Sequence, residues 1–180
     1  MEFSDLLVKE HEPIRRALDV LRIMTGRVES GAWPDRHDVN ALLLFLHYFA
    51  DVCHQGKEES ILLPAIQAGR DRGSPVEASH FMEEHHESRS LIEETQLMLF
   101  TDKDREFVAT ARNLIDLIAR HAEEEEAVLF PFAEKSLTPE QDAELTAKMQ
   151  HADARFGRTQ KRLLIEMLDQ LERKYLPEAA

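Results

Sequence analysis

Read for its apolar positions, the chain is a succession of long helical stripes without strand-like alternation. Leu7, His11, Ile14, Leu18 and Leu21 recur at spacings of four and three, which predicts a first helix from near Ser4 to near Val28 with His11 inside its apolar stripe. Pro13 falls in the middle of that pattern. It lacks an amide donor and crowds the carbonyl of Lys9, so it predicts either a kink beside His11 or a later helix start. Glu29-Ser-Gly-Ala-Trp-Pro-Asp35 reads as a loop. A second helix is expected from about Asp38 to Ala68, with Leu43, His47, Ala50, His54, Glu58, Ile61 and Ala65 inward and Pro64 kinking or loosening its last turn. Beyond a loop at Gly69 to Ser74, Pro75 is placed to open a third helix reaching about Phe100, whose inner face is Phe81, Met82, His85, Ile92 and Leu99. After the short link Thr101-Asp-Lys-Asp, a fourth helix should run from about Asp104 to Glu134 with Leu114, Ile118, His121, Glu125, Val128 and Phe132 inward. Thr138-Pro-Glu-Gln141 then carries a capping-box signature that opens a long fifth helix to about Tyr175.

Short links between long helices make neighbours antiparallel. The expected fold is therefore all-α: an up-down-up-down four-helix bundle over residues 1–136, with an additional C-terminal helix in 137–180 packing on or extending it. The stripe Leu163, Leu164, Met167, Leu168 and Leu171 would let that last helix cap the bundle, make a homodimer or receive a protein partner.

A repeat runs through this pattern. His54-Gln-Gly-Lys-Glu58 continues into Ile-Leu-Leu-Pro64, and His121-Ala-Glu-Glu-Glu125 continues into Val-Leu-Phe-Pro131. A His and a Glu four residues apart share one helix face, one turn apart, and can address the same atom. Upstream of each copy stands a Glu-His pair, Glu10-His11 and Glu84-His85. The chain thus reads as two duplicated hairpins, each supplying three candidate ligands: His11, His54 and Glu58, then His85, His121 and Glu125. Four imidazoles and two carboxylates suit iron or manganese, and affinity order alone leaves zinc open. Two carboxylates on near-symmetric hairpins could bridge two ions, with an oxo or hydroxo group completing the pair.

Composition narrows the classes. With 35 Asp plus Glu against 22 Lys plus Arg, the formal charge is −13, which argues against nucleic acid and anionic membrane as partners. A bound cationic cluster would offset part of it. The single cysteine, Cys53, provides no disulfide framework and no multi-Cys metal site. The acidic start Met1-Glu-Phe-Ser-Asp has no apolar run behind it, and the longest apolar run, Ala41 to Leu46, is too short to span a bilayer, so a cytoplasmic protein is expected.

Glu-His near the start, Cys-His-Gln-Gly-Lys-Glu-Glu with Ile-Leu-Leu-Pro, Glu-His-His-Glu-Ser-Arg, and His-Ala-Glu-Glu-Glu-Glu with Val-Leu-Phe-Pro together resemble the hemerythrin-like (HHE) cation-binding family over roughly Met1 to Ser136. That resemblance implies a four-helix bundle with a non-haem di-iron centre. It also implies roles in dioxygen or nitric oxide binding, sensing, iron homeostasis or iron-centre repair. One departure stands out. Dioxygen carriers of the family have a His-x-x-x-His pair on the third helix and an Asp five residues after the last His. Here Phe81 and Arg89 flank His85 at four residues, and Glu125 or Glu126 supplies the last carboxylate. Reversible dioxygen carriage is thereby put in doubt, and the set is closer to the branch containing repair and iron-sensing proteins, without the separate cysteine-bearing module of many repair proteins.

Other residues compete for places in the site. Glu59 and Glu126 are the one-residue-slipped alternatives to Glu58 and Glu125, within acidic runs that usually form solvated faces. His86 competes with His85, and alignment with Glu10-His11 decides for His85. His47 reads as a supporting group, an extra ligand or an ordinary buried His, and His80 as a stand-in for the missing fifth histidine. His151 is expected to be exposed or in packing rather than over the site, and His37 to lie on the surface. Cys53 points about 100° away from His54 and reads as a packing residue. Three functions compete: a module that binds or senses dioxygen, nitric oxide or iron; a di-iron enzyme or iron-centre repair or iron-donor protein; and a metal-free helical interaction module. The last would leave four His and two Glu in a core at a cost of several kcal/mol.

Overall fold

The computed structural model describes residues 1–68 and 77–176. All regular structure among these residues is helical. Helix α1 is Glu2–Glu29 and passes through Pro13 without interruption, so the later start is excluded. Helix α2 covers 36–68, opened by an Asp35 side chain that accepts from the His37 amide. Helix α3 is Ala78–Leu99 and α4 covers 104–136. Pro75, expected to open α3, lies outside the described residues. Helices α5, Pro139–Phe156, and α6, Arg158–Tyr175, complete the chain. The Thr138–Gln141 capping box is present with both of its hydrogen bonds.

Two of these helices are not α-helical throughout. In α2 the turns Leu46–Gln55 and Glu58–Leu62 are π-helical, and in α4 so is Glu125–Leu129. A π turn bonds i to i+5 and takes up one more residue than an α turn. The apolar stripe therefore slips by one position, and the inward residues expected from a 3.6 period are wrong past each slip. After Glu58 the core residue is Leu62 rather than the half-buried Ile61; after Glu125 it is Leu129, while Val128 is 45% exposed. Leu63, Ile66 and Ala133 take the places expected of Ala65 and Phe132. His47 is turned out by the first slip and lies 3.4 Å from Asp51 with its side chain 41% exposed.

The expected single fifth helix is two. Gly157 adopts φ 104°, a region that L side chains rarely enter, and the chain turns there from α5 into α6. Within α6, Leu168, Leu171 and Tyr175 are buried against the chain's own core, whereas Leu163 faces solvent. Of the uses open to this stripe (capping the bundle, a dimer or a partner), its packing here is on the chain's own core. Arg16 on α1 pairs with Asp169 and Glu172, and Tyr175 donates to Asp38 on α2 at 2.6 Å.

Two apolar clusters form the core. One joins Ile14, Leu18 and Leu21 of α1 with Leu42, Phe45 and Phe49 of α2, Ile92 of α3, Leu114 and Ile118 of α4, and α6. The other joins Phe3 and Leu7 with Leu62, Phe81, Leu129, Phe130 and, from α5, Leu145 and Met149. Between Leu7 and Ile14 on α1, and between Ile118 and Leu129 on α4, lies a layer of buried histidines and carboxylates.

Candidate metal centre

The structure brings the six expected residues together in that layer. α1 delivers His11, α2 delivers His54 and Glu58, α3 delivers His85, and α4 delivers His121 and Glu125, all buried. The imidazoles form two T-shaped pairs. His11 Nε2 lies 3.0 Å from His54 Nε2, and His85 Nε2 lies 3.0 Å from His121 Nε2, with ring centroids 4.7 Å apart in each pair.

The carboxylates stand between the pairs, one oxygen toward each. Glu58 directs Oε1 to His54 at 3.4 Å and Oε2 to His85 at 3.5 Å. Glu125 directs Oε2 to His11 at 3.2 Å and Oε1 to His121 at 3.0 Å. Their atoms fall into two four-donor sets that share both carboxylates: His11, His54, Glu58, Glu125 and His85, His121, Glu58, Glu125. Both Glu side chains are fully buried, and none of their four oxygens has a hydrogen-bond partner. A buried carboxylate without partners costs several kcal/mol. A bound cation would satisfy these oxygens and the Nε2 atoms together, so the donor set fits metal binding.

Behind each imidazole sits a second carboxylate that the sequence reasoning did not assign. Glu126 accepts from His11 Nδ1 at 2.6 Å, Glu10 from His54 at 3.0 Å, Glu59 from His85 at 2.9 Å and Glu84 from His121 at 2.8 Å. Such partners fix the tautomer, leaving each Nε2 lone pair free to face inward. The signal was in the repeat itself: the Glu preceding His11 and His85, and the Glu following Glu58 and Glu125, are the four acceptors. Glu59 and Glu126, weighed as slipped ligands, therefore stand behind the histidines instead. Arg15 and Arg89, each four residues past its His, pair with Glu126 and Glu59, and Arg89 also holds Asp51 at 2.6 Å.

Without a metal the charges favour protons on these rings, which a bound cation would displace. Burial alone would lower His121, but the nearby Glu125 charge and the hydrogen bond to Glu84 outweigh it and push it up to about 10. His11 is raised in the same way, against burial, by Glu125 and Glu126. The hydrogen bond from His121 lowers Glu84 to about 2, with Arg120 adding to it. Burial would raise Glu10, yet His54, Lys57 and Lys161 hold it well below the usual carboxylate range. Cys53 is buried at 4% exposure, its Sγ 3.7 Å from Asp153, and burial with the Glu10 charge pushes its thiol up to about 12.

The remaining candidates lie outside the two four-donor sets. His86 is exposed with Nδ1 on the Met82 carbonyl, His151 and His37 are exposed, and His80 is 46% exposed beside Glu124. Of the two residues that flank His85 at four positions, Phe81 is buried with its ring 5.8 Å from that of His121, and Arg89 pairs with Asp51 and Glu59.

A helical protein with a buried, pseudo-symmetric histidine–carboxylate layer defines a class, that of the cation-binding bundles. The family model described as the hemerythrin HHE cation binding domain matches residues 2–133, and the chain belongs to that family. No curated protein and no solved structure matches it. Among the described residues no helix is long and apolar enough to cross a membrane.

Proposed function

We propose that the chain holds two iron ions in this layer and serves as a binding or sensing module for a small diatomic ligand, dioxygen or nitric oxide, or for iron itself. The observation that carries the reading is the pair of buried carboxylates, Glu58 and Glu125, whose four oxygens have no protein partner and lie between two imidazole pairs. His11 and His54 would hold one ion and His85 and His121 the other, with Glu58 and Glu125 common to both. The remaining 1–136 segment then acts as an up-down-up-down four-helix frame, and α5 and α6 close over it. Iron in such a centre supplies one-electron redox change and an open coordination position. The protein's own residues do the rest. Glu126, Glu10, Glu59 and Glu84 keep each Nδ1 protonated and each Nε2 available. Phe3, Leu7, Leu62, Leu129 and Phe130 exclude water from one side of the layer, and Ile14, Phe49 and Ile118 from the other. A ligand without charge can cross these walls, whereas a bulky polar substrate cannot, which favours a diatomic ligand over oxidation of a larger molecule.

Elemental analysis of protein purified without oxygen, with the optical spectrum followed as air or nitric oxide is admitted, tests this. The expected result is about two irons per chain and new absorption bands on admission, with metal content falling in His121→Ala. Full helicity with no bound metal, or zinc alone, would overturn it.

A further inference from the structure

The two helices beyond the family match, α5 and α6, are seated on the bundle unevenly. Their apolar anchors lie at the outer ends: Leu145 and Met149 in α5, and Leu168, Leu171 and Tyr175 in α6. Between Met149 and Leu168, across the turn at Gly157, no residue is buried, and Leu164 and Ile165 are half-buried at most. Charge ties this corner down instead. Asp153 of α5 accepts from Lys57 at 2.8 Å, and Lys161 of α6 reaches Glu10 at 2.6 Å and Asp153 at 3.4 Å. Lys57 donates to the same Glu10 oxygen, Oε1. An open cavity of about 310 Å³ lies against the tether, walled by Leu6, Pro13, Phe49 and Ile165 and by Asp153 and Lys161 themselves. Beside that cavity the corner is held by ion pairs rather than by close packing.

The tether ends at the metal centre. While Glu10 Oε1 takes the two ammonium groups, its Oε2 accepts from His54 Nδ1 at 3.0 Å. One carboxylate thus joins a candidate ligand to α6 through Lys161 and to α5 through Lys57 and Asp153. Its counterpart makes no such link: Glu84 bonds His121 and, on the same helix, Arg120, and no residue of α5 or α6 among the described residues. Beneath the tether lies Cys53, 4% exposed, with its Sγ 3.7 Å from Asp153. It is covered while the corner is seated and uncovered when the corner lifts.

We infer that the α5–α6 corner, residues 150–167, is a strap whose seating is coupled through Glu10 to occupancy of the centre at His54, so that a bound cation closes it and an empty centre releases it. A cation on Nε2 draws charge from the ring and strengthens donation from Nδ1 to Glu10. Glu10, fixed on that side, holds Lys57 and Lys161 in place on the other. Coupling is reciprocal, so the seated strap raises cation affinity by the factor with which the cation favours seating. The inference rests on the metal-centre reading above and gives that centre an output within the chain.

The test uses the full chain, iron-free and loaded anaerobically with iron(II). Amide hydrogen exchange is read by mass spectrometry, and alkylation of Cys53 by N-ethylmaleimide is followed in parallel. Iron(II) should slow exchange in residues 150–167 and alkylation of Cys53 by about fivefold or more, while residues 168–175 exchange as before. Lys161→Met combined with Asp153→Asn should speed both in the iron-free chain, abolish their dependence on iron and weaken iron(II) binding by about the same factor. Arg162→Ala, at the exposed neighbour that pairs with Glu166 within α6, should leave all three as in wild type. A tether that is structural alone would speed exchange in the double variant yet keep the iron dependence and the affinity, and that outcome overturns the coupling. Iron protection spread evenly through residues 168–175 overturns it too, being the mark of general stabilisation by a ligand. Wild type that binds iron(II) with the corner and Cys53 unaffected overturns the strap and leaves the metal centre standing. Wild type that takes up no iron(II) overturns both.

Discussion

Replacing Glu58 by Met should make the protein more stable when metal is withheld and less stable when metal is supplied. Glu58 is 0% exposed, neither of its oxygens is hydrogen-bonded, and its nearest nitrogens, His54 and His85 Nε2, stand at 3.4 and 3.5 Å. Leaving a buried polar group without hydrogen bonds costs roughly 1–3 kcal/mol in proteins, which an apolar side chain of similar volume recovers. The gain here should be about 2 kcal/mol, below the top of that range, because the Glu58 charge also helps keep His11 and His121 raised and is partly offset by them. For a chain of this size that corresponds to a melting temperature about 4–8 °C higher. Metal reverses the order. A site filled at a thousandfold excess over its dissociation constant adds about 4 kcal/mol to wild type, and the variant, lacking one shared carboxylate, gains little. The assay is thermal unfolding by circular dichroism under anaerobic conditions, once with chelator and once with excess iron(II). A variant less stable than wild type in chelator would refute the reasoning, since Glu58 would then be held by the protein itself. Unchanged ranking in iron(II) would refute its role as a ligand.

Gly157→Ala should cost about 1–3 kcal/mol in urea denaturation, from the backbone alone, because the nearest atom to an added Cβ, Gln160 Cβ, is 3.9 Å away. Asp38→Asn should cost about 1–2 kcal/mol at neutral pH through the hydrogen bond from the buried Tyr175 hydroxyl. Burial raises Asp38, but Lys174 and Tyr175 outweigh it and hold it below its ordinary value. Its contribution is therefore complete above the unfolded value and fades as pH falls through the folded one, so the difference from Asn should be flat above about pH 5 and shrink in acid. Cys53, buried and with its thiol pushed up to about 12, should resist alkylation at pH 8 in the native protein and react at once in denaturant, as mass spectrometry would read.

The ligand candidates were legible because each signal was duplicated. His54 and Glu58 alone are an ordinary helix-face pair; with His121 and Glu125 at the same spacing, and a Glu-His ahead of each, the repeat singles them out. The four outer carboxylates were equally present in the repeat but lie on neighbouring helices in space: Glu10 reaches His54 and Glu84 reaches His121, contacts that no single-helix period can reveal. The break at Gly157 was missed because the apolar stripe resumes beyond it. The run before it, Gln150 to Arg155, holds no glycine or proline, which leaves Gly157 itself as the lone stop signal. Cys53 was read as packing, and its burial agrees, while Lys57, which reads from sequence as a solvated charge, is buried by Glu10 and Asp153.

The apolar-proline tail that marked the repeat has a structural cause of its own. Pro64 and Pro131 each stand six residues after a shared carboxylate, Glu58 and Glu125. A proline has no amide to give the carbonyl four residues back and crowds that carbonyl, which weakens the turn before it, although α1 stays α-helical through Pro13. In both halves the turn opens: the Leu63 amide bonds the Glu58 carbonyl and the Phe130 amide bonds the Glu125 carbonyl, each five residues back. The added residue carries Leu62 and Leu129 into the core directly beyond the carboxylates, sealing the layer, and turns Val128 out to solvent. Had both helices stayed regular, Ile61 and Val128 would take that face, and the seal would be formed by smaller or differently branched side chains one position earlier. In both halves the proline thus stands at the same distance from the carboxylate, just past the π turn that brings Leu62 and Leu129 to the wall against which Glu58 and Glu125 are held.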